Sequence, residues 1–572
     1  MRETLKYCFL FALAGLLAFA HTALAQDVKG NLVSVDWLQD NLKKKDVLVL
    51  DASNTKNYLA KHIPGAISVS FTAQESTSQG VNLSYGGGVD YFTDMETCPY
   101  AFQEMPAQQM EKLFQSWGIS PDLKIVMYDE GGIFHAARLF FSLYYHGFPV
   151  KNLYILDGGL SKWQEEGFPV TKDIPPAPRK GTFHVKKLNH DVKADLPEFL
   201  TATGDRLNNA IVEGLTPVWH FGEALSYDKA GHIPFAIMLG YPDFFNADKT
   251  YKSREEIQKM LDYLGILHNQ QVYTHCGGGP GGSVPFFAIK FIAQYPKVKH
   301  FPESQLAWLY DERDLPYWTY DAPYLMRNTN WLQWWGGQRT RSLGSIHVSI
   351  VDVRSSEAYN QGHVPFALNV PVENFKNHLK DPLSLARLLG AAGVNALHEA
   401  VVISGDGITK ESALAFLLLE QLGQKKVSIF MDTMEYWSKR GYALKKDRTV
   451  VAPKKVRHDL AVPPVDYQAA PGKAVIADPN STKGLYPKIF IASGKTIPSQ
   501  AVEGKVVHVP YTELLNEDGS PKPAKDIWNI IYKAGVTRYA ELICFSDDPG
   551  EAAINYFIMK LMGFPDIKVL VF

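Results

Sequence analysis

The 572 residues of this chain are too many for one hydrophobic core and predict about three to five domains. Hydrophobic residues make up 46% of the chain and charged residues 21%, which excludes a largely disordered protein. Lys and Arg number 58 against 60 Asp and Glu, so no basic excess indicates binding to nucleic acid or to an anionic membrane.

The N-terminus has the order of a cleavable secretory signal. Arg2 and Lys6 precede an apolar run from Cys8 to Ala20, and small residues ending at Ala25 precede a polar segment. A membrane anchor is the alternative, but the run is shorter than the roughly 20 apolar residues that a spanning helix needs. We therefore expect a signal peptide at residues 1–25, a periplasmic or secreted protein, and no membrane span.

Cleavage would leave three cysteines, Cys98, Cys276 and Cys544. Their odd number and wide spacing are typical of neither a disulfide framework nor a metal site, so at least one thiol should be free and no metal is expected. Cys98 is interpreted as an inert loop residue. A thiol that persists in an oxidising compartment is a candidate for a chemical role.

A block of sequence recurs along the chain. It begins with an apolar run that ends in an acidic residue, as at residues 47–51 and 348–352, followed by a helix-like stretch. A His-x-Pro turn comes next, at residues 62–66, 232–236 and 363–367, with a degraded copy at 495–498. Because a weak motif that repeats in register is stronger evidence than one match, the pattern predicts four related modules.

Each block then has a buried-looking strand, a loop and an apolar helix. A constant offset supports the alignment, since 19 residues separate Ser404 from Gly423 and also Cys544 from Gly563. The strand ends that this alignment pairs are Asp129, Cys276, Ser404 and Cys544.

Strands alternating with helices at these lengths predict an α/β fold, in which each module has three α/β/α layers around a mostly parallel sheet. The modules are placed at residues 26–175, 176–338, 339–448 and 449–572. Ligands of such sheets bind at the carboxyl ends of the strands, where the four aligned positions are expected.

The turn at residues 62–66, the Tyr128-Asp129 strand end and the Leu-Asp-Gly-Gly segment at 156–159 resemble the rhodanese, or thiosulfate sulfurtransferase, family. The resemblance extends over nearly the whole chain after residue 25 and implies four rhodanese-like repeats. Family members commonly pair an inactive module with one that bears a nucleophilic cysteine. Modules one and three would then be inactive, with Asp129 and Ser404 at the cysteine position, and Cys276 and Cys544 are the implied nucleophiles.

Cys276 is followed by a glycine-rich loop. Backbone N–H groups of such a loop, together with the dipole of the following helix, can bind an anionic sulfur and are expected to lower the thiol pKa. His275 is interpreted as structural, because a strand neighbour points to the opposite face. The residues expected to bind substrate are Gly277, Gly278, Gly279, Gly281, Gly282 and Ser283, the last of which could instead only cap the helix.

Cys544 is the weaker candidate for a nucleophile. Asp547, Asp548 and Glu551 follow it closely, and their negative charges should oppose both a thiolate and an anionic sulfur donor. A neutral or protein-bound donor would suit it better.

The predicted reaction moves sulfane sulfur from thiosulfate or a similar donor to cyanide or a thiol, through a persulfide on Cys276 and without a cofactor. A protein thiol is an alternative acceptor. Family enzymes usually supply Arg or Lys near the early strand end, whereas this chain has Glu213 there. A non-catalytic sulfur-binding or docking scaffold therefore stays open, and so does phosphatase-like chemistry, although residues 283–285 lack the Arg that it requires.

Overall fold

The computed structural model describes residues 28–69, 104–456, 460–472, 475–478, 484–499 and 502–572. The chain divides into two compact units, Met1–Tyr317 and Trp318–Phe572. The signal peptide at residues 1–25 and Cys98 lie outside the described residues, so the interpretations of both remain predictions. Among the helices that the structure describes, none is both long and apolar enough to cross a membrane.

The first sheet has six strands, and all neighbouring pairs except β1 and β2 are parallel. In spatial order its strands are β1 (Val28–Lys29), β2 (Leu32–Val33), β6 (Leu153–Leu156), β5 (Lys124–Tyr128), β3 (Val47–Asp51) and β4 (Ile67–Ser68). Its helices are α1 (Val35–Asn41), α2 (Thr55–Ala60), α3 (Ala107–Ser116), α4 (His135–Tyr145) and α5 (Gly159–Glu165).

The second sheet has four parallel strands in the same unit. In spatial order they are β10 (Ile237–Met238), β7 (Asn209–Glu213), β11 (Gln271–His275) and β12 (Val298–His300), and a separate antiparallel hairpin consists of β8 (Leu225–Ser226) and β9 (Lys229–Ala230). The helices are α6 (Leu196–Gly204), α7 (Pro217–His220), α8 (Arg254–Tyr263), α9 (Ser283–Phe287), which continues into a π-helical turn at Ala288–Ile292, and α10 (Ser304–Tyr310).

The third sheet, in the second unit, has five parallel strands. In spatial order they are β13 (Met326–Arg327), β17 (Lys426–Phe430), β16 (Glu399–Ile403), β14 (Val348–Asp352) and β15 (Leu368–Asn369). Its helices are α11 (Thr329–Trp335), α12 (Gln338–Ser342), α13 (Ser356–Gln361), α14 (Val372–Lys376), α15 (Pro382–Ala391), α16 (Lys410–Gln421) and α17 (Met434–Lys439). Strand β13 belongs to this sheet although it precedes the boundary predicted after residue 338.

The fourth sheet has four parallel strands. In spatial order they are β19 (Lys505–His508), β18 (Lys488–Ala492), β20 (Glu541–Phe545) and β21 (Ile567–Val569), and the helices are α18 (Tyr511–Leu514), α19 (Ala524–Lys533) and α20 (Pro549–Leu561). The four mostly parallel sheets agree with the predicted α/β fold class, whereas the module boundaries remain a prediction.

Central strands of these sheets are apolar along their whole length because helices cover both faces. In β5, Val126 and Tyr128 pack in one core cluster with residues of α1 and α5, and the alternate residues Ile125 and Met127 are also fully buried. Alternate side chains of a strand point to opposite faces, so β5 is covered on both sides. The carboxyl ends of the strands are left for the loops that precede the covering helices.

The backbone hydrogen bonds fix which positions of the four sheets correspond. In each sheet, the carbonyl oxygen of the last residue of the central strand accepts a hydrogen bond from the N–H of the residue that follows the neighbouring strand. The donor and acceptor pairs are Ala52 and Tyr128, Gly214 and His275, Val353 and Ile403, and Ser493 and Phe545. The next residues along the chain are therefore equivalent, and they are Asp129, Cys276, Ser404 and Ser546.

Cys544 does not occupy the position predicted for it. It lies inside β20, two residues before Ser546, and it is paired with Ile491 on one side and Val569 on the other. The alignment by a constant offset is wrong in the fourth sheet because the segment between strand end and glycine differs in length. The offset from Ser404 to Gly423 is 19 residues. The same offset, counted back from Gly563, falls on Cys544, which lies before the strand end.

Candidate active site

Cys276 follows β11 at the carboxyl edge of the second sheet and is 3% exposed. Residues at the start of α10 bind both the N–H and the carbonyl group of Cys276. The N–H of Cys276 donates to Ser304 Oγ at 3.0 Å, and its carbonyl oxygen accepts from Gln305 N at 3.1 Å. These bonds leave the side chain pointing into the loop that leads to α9, so the position of the thiol is set by two elements of the fold.

The loop after Cys276 surrounds its sulfur with backbone N–H groups. Gly279 N–H donates to Sγ at 3.0 Å, and the N–H groups of Gly282, Gly278 and Gly281 also stabilise the anionic form. Of the predicted substrate-binding residues, the structure therefore brings these four glycines to the sulfur. Such a concave arrangement of N–H groups suits an anion and repels a metal cation.

The expected lowering of the thiol pKa is wrong. Burial raises the pKa of Cys276 above its ordinary value, and the four N–H groups oppose this effect without reversing it. The glycines could be seen in the sequence. How completely β11, α9 and α10 would exclude water from the sulfur could not. In a low-dielectric site the charged form of a thiol is disfavoured.

Glycine is required at one position of the loop in particular. Gly279 has φ +103°, and a Cβ atom built there would lie 2.4 Å from the carbonyl oxygen of Pro302. Gly277 is different, because a Cβ there would meet nothing within 4 Å. The approach of the Gly279 amide to the sulfur thus depends on the absence of a side chain.

Ser283 and His275 are not directed at the sulfur. Ser283 is fully buried at the start of α9, and its hydroxyl donates to the carbonyl oxygen of Pro280. His275 is buried as well, its Nδ1 lies 3.4 Å from the Cys276 carbonyl oxygen, and burial lowers its pKa, so it is neutral at pH 7. Both residues support the loop rather than supply charge to it.

A buried polar network lies beside the loop, and the sequence did not identify it as part of the site. Glu213, at the end of β7, accepts hydrogen bonds from His220 Nδ1 and, at 2.6 Å, from Gln305 Nε2. The His220 ring stacks on His232 with centroids 3.7 Å apart. Burial raises the pKa of Glu213, but the charge and hydrogen bond of His220 and the charge of His232 outweigh it and leave that pKa below its ordinary value. Through Gln305 the carboxylate fixes the residue that binds the Cys276 carbonyl.

Tyr227 is a second residue that sequence reasoning missed. It lies at the turn of the β8–β9 hairpin with φ +59°, and its hydroxyl is 3.4 Å from the Gly277 carbonyl oxygen. Burial of the hydroxyl and the nearby Cys276 sulfur raise the pKa of Tyr227 to about 12, so it remains a hydrogen-bond donor. Eleven residues separate α7 from His232, whereas only Lys61 separates α2 from His62. That longer connection was the available signal in the sequence.

The equivalent positions of the second unit hold no thiol at the loop. Ser404 Oγ donates to the Gly407 carbonyl oxygen at 3.1 Å, and Ser546 Oγ donates to Glu551 at 2.6 Å. Cys544 is fully buried in β20, and burial raises its pKa far above the ordinary value. The structure does not bring Cys544 into a loop comparable with that of Cys276.

Two segments of the chain are similar to a known protein family. A model of the rhodanese-like domain matches residues 34–166 and 339–440. The sulfur carrier protein TtuD of Thermus thermophilus is 28% identical over 48% of this chain and 93% of its own length. A thiosulfate sulfurtransferase of Azotobacter vinelandii is 26% identical over 47% of this chain and 91% of its own. Residues 34–166 and 339–440 are therefore similar to rhodanese-like domains.

The two matched segments contain Asp129 and Ser404, whereas Cys276 lies outside both of them. Among solved structures, the anaerobic ergothioneine biosynthesis enzyme of Chlorobium limicola is 21% identical, with a TM-score of 0.41 over 50% of this chain and 70% of that enzyme. The likeness to rhodanese-like domains therefore rests on the sequence matches.

Proposed function

We propose that this chain is a sulfurtransferase that carries sulfane sulfur as a persulfide on Cys276. The observation that supports the proposal is the Cys276 sulfur at the centre of a loop in which four glycine N–H groups, Gly279 at 3.0 Å among them, stabilise its anion. Relatives named as a thiosulfate sulfurtransferase and as a sulfur carrier support sulfur transfer in general. Thiosulfate as the donor and cyanide or a thiol as the acceptor are the finer parts of the proposal.

The reaction is a double displacement. The Cys276 thiolate attacks the outer sulfur of thiosulfate, the S–S bond of thiosulfate breaks, and its electron pair leaves with sulfite. The persulfide anion that remains gives its terminal sulfur to cyanide or to a thiolate, which regenerates the Cys276 thiolate. The negative charge stays inside the loop in both steps, so the same N–H groups stabilise it throughout.

The raised pKa of the Cys276 thiol determines at which stage of the reaction the loop N–H groups act. Because the resting thiol keeps its proton at neutral pH, the N–H groups act mainly after the proton has left and charge has developed on sulfur. A persulfide is a stronger acid than a thiol, so it is ionised at a pH at which the resting thiol keeps its proton. We infer that the site holds the persulfide better than the thiolate.

A sulfur-binding scaffold without turnover is a second candidate function. The same raised pKa favours it, because a buried thiol that rarely ionises is a slow nucleophile. Such a scaffold would accept sulfur from a partner and protect the persulfide, but it would not turn over thiosulfate. Multiple turnover separates the two candidates.

The test is thiocyanate formation from thiosulfate and cyanide by the purified chain. We expect turnover by the wild type, none by Cys276→Ser, and unchanged turnover by the matched variant Cys544→Ser, whose sulfur lies inside β20. Mass spectrometry after thiosulfate treatment alone should show one added sulfur atom on the peptide that contains Cys276. An adduct without turnover would select the scaffold, and turnover by Cys276→Ser would refute the proposal.

A further inference from the structure

A second polar site lies in the third sheet, at the edge opposite to the Ser404 loop. A cavity of about 200 Å³ opens at the amino ends of β14 and β16 and is lined by Arg341, Ser349, Asn395, His398 and Lys454, with apolar residues completing the wall. Among the residues that the structure describes, none that lines the cavity is Asp or Glu. The described wall therefore combines cationic and hydrogen-bonding groups without a compensating carboxylate.

Arg341 is the central feature of this cavity. It is 3% exposed, its Nε donates to the Gly336 carbonyl oxygen at 2.9 Å, and its Nη2 donates to the Val348 carbonyl oxygen at 3.2 Å. Its guanidinium also stacks on the Phe366 ring at 4.6 Å. Within the described part of the chain, Nη1 has no hydrogen-bond partner and no carboxylate forms an ion pair with Arg341.

A buried cation without a carboxylate is unusual, because buried charges in proteins are normally paired. Burial alone lowers the pKa of Arg341 to about 10, so the guanidinium keeps its charge at neutral pH. The fold thus bears the cost of a buried charge that no carboxylate in the described part of the chain neutralises. An anionic ligand would remove that cost.

Neighbouring polar groups complete the described wall of the cavity. Burial, together with the charges of Arg341, His347 and Lys425, lowers the pKa of His398 to about 4, so its ring is neutral at neutral pH. The Nδ1 atom of His398 lies 3.3 Å from Ser349 Oγ, which also accepts a hydrogen bond from Asn395 N at 3.1 Å. Lys454 adds a further positive charge to the wall.

We propose that this cavity binds a small oxyanion of the sulfate and phosphate class, held by Arg341 Nη1 and the Lys454 ammonium with Ser349 and His398 beside them. A planar guanidinium suits the oxygens of such an anion. The volume of about 200 Å³ is below the roughly 300 to 1,000 Å³ of pockets that take drug-sized ligands, which excludes a nucleotide. The proposal does not depend on the chemistry of Cys276.

The test is calorimetric titration of the full chain with sodium sulfate and sodium phosphate, and with sodium chloride at the same ionic strength. The thiols are alkylated first, so that the loop around Cys276 is closed to anions. We expect one saturable site for sulfate or phosphate and no saturable heat with chloride. A chain that binds neither oxyanion, or that binds chloride equally well, would overturn the proposal.

Variants locate the binding in this cavity. We expect Lys454→Met to weaken binding about tenfold, as for the loss of one charged hydrogen bond, and Arg341→Met to abolish it. Lys439→Met, which removes one charge from the exposed end of α17, is the matched control and should bind as the wild type does. If Arg341→Met does not fold, Lys454→Met and His398→Gln decide, and wild-type affinity in both would refute the assignment.

Discussion

The loops around Asp129 and Cys276 use one backbone arrangement for two different side chains. Asp129 follows β5 and its carboxylate accepts hydrogen bonds from Gly131 N at 2.8 Å and Ala136 N at 2.9 Å. Cys276 follows β11 and its sulfur accepts from Gly279 N at 3.0 Å. Burial raises the pKa of both side chains, and loop N–H groups oppose the shift in each.

The support behind the two loops is also the same. Leu160 N donates to the Asp129 carbonyl oxygen at 2.8 Å, as Gln305 N does to that of Cys276 at 3.1 Å. The residue before each donor has a left-handed backbone, Gly159 at φ +56° and Ser304 at φ +53°. The ring of N–H groups is therefore a property of the fold, and the residue at its centre decides whether the loop can carry sulfur.

The substitution Cys276→Asp should have the largest effect on activity, and it tests whether the loops around Asp129 and Cys276 are equivalent. Because Asp129 already occupies the equivalent position, we expect Cys276→Asp to fold with a melting temperature close to that of the wild type. Thiocyanate formation should fall at least about a thousandfold, because a carboxylate cannot form a persulfide. A variant that fails to fold would show that the two loops are not interchangeable.

The glycine requirement in the loop gives the next largest effect. Gly279→Ala places a Cβ atom 2.4 Å from Pro302 O at φ +103°, so the N–H that binds the sulfur must move. We expect persulfide formation to slow about tenfold to a hundredfold, as for a lost N–H donor at a developing anion. Gly277→Ala is the matched control, since its Cβ meets nothing within 4 Å. Equal rates in the two variants would contradict the proposed role of the loop N–H groups.

Removing the Tyr227 hydroxyl should have a moderate effect. Its hydrogen bond to the Gly277 carbonyl is long at 3.4 Å, so the hydroxyl can turn to a terminal sulfur. We expect Tyr227→Phe to slow persulfide formation about tenfold, the loss of one hydrogen bond to a charged group, with little change in stability. Tyr310→Phe, at the exposed end of α10, serves as the control. A wild-type rate in Tyr227→Phe would exclude a contact with the sulfur.

The pH dependence of Cys276 alkylation tests the direction of its pKa shift. Only the thiolate reacts, so a raised pKa means that the rate continues to rise with pH beyond the midpoint of a free thiol, about 8.5. Initial rates with iodoacetamide in the Cys544→Ser background give this curve. A midpoint below that of a free thiol would show that the loop N–H groups outweigh burial.

Cys544→Ser is expected to have the smallest effect on activity. The sulfur lies inside β20 and not at a loop, so we expect thiosulfate turnover to match that of the wild type. Stability should decrease by about 1 to 3 kcal/mol, because the new hydroxyl is buried in an apolar layer, and urea denaturation measures this change. A turnover decrease larger than the loss of folded protein would show that Cys544 takes part in the reaction.

Local pattern was enough to predict the fold class and to place Cys276 and its glycines at the carboxyl end of a strand. The apolar runs that become β5, β11 and β16, each followed by a loop and an apolar helix, predicted parallel sheets with ligands at their carboxyl ends. Cys276 and its glycines were found because a strand end, a cysteine and a flexible loop are adjacent in the chain. Interactions between neighbours in sequence can be inferred from residue type and spacing.

Only the tertiary structure decided the features that join distant segments. Ser546 rather than Cys544 follows the end of the fourth central strand, which is shown by the hydrogen bond between Phe545 and Ser493 and by no local signal. The sign of the Cys276 pKa shift depends on how far α9 and α10 exclude water. Tyr227 reaches Gly277 across 50 residues of chain, because a hairpin between α7 and His232 returns to the loop. Burial and long-range contact arise from packing, whose energy is set by all of the surrounding elements together.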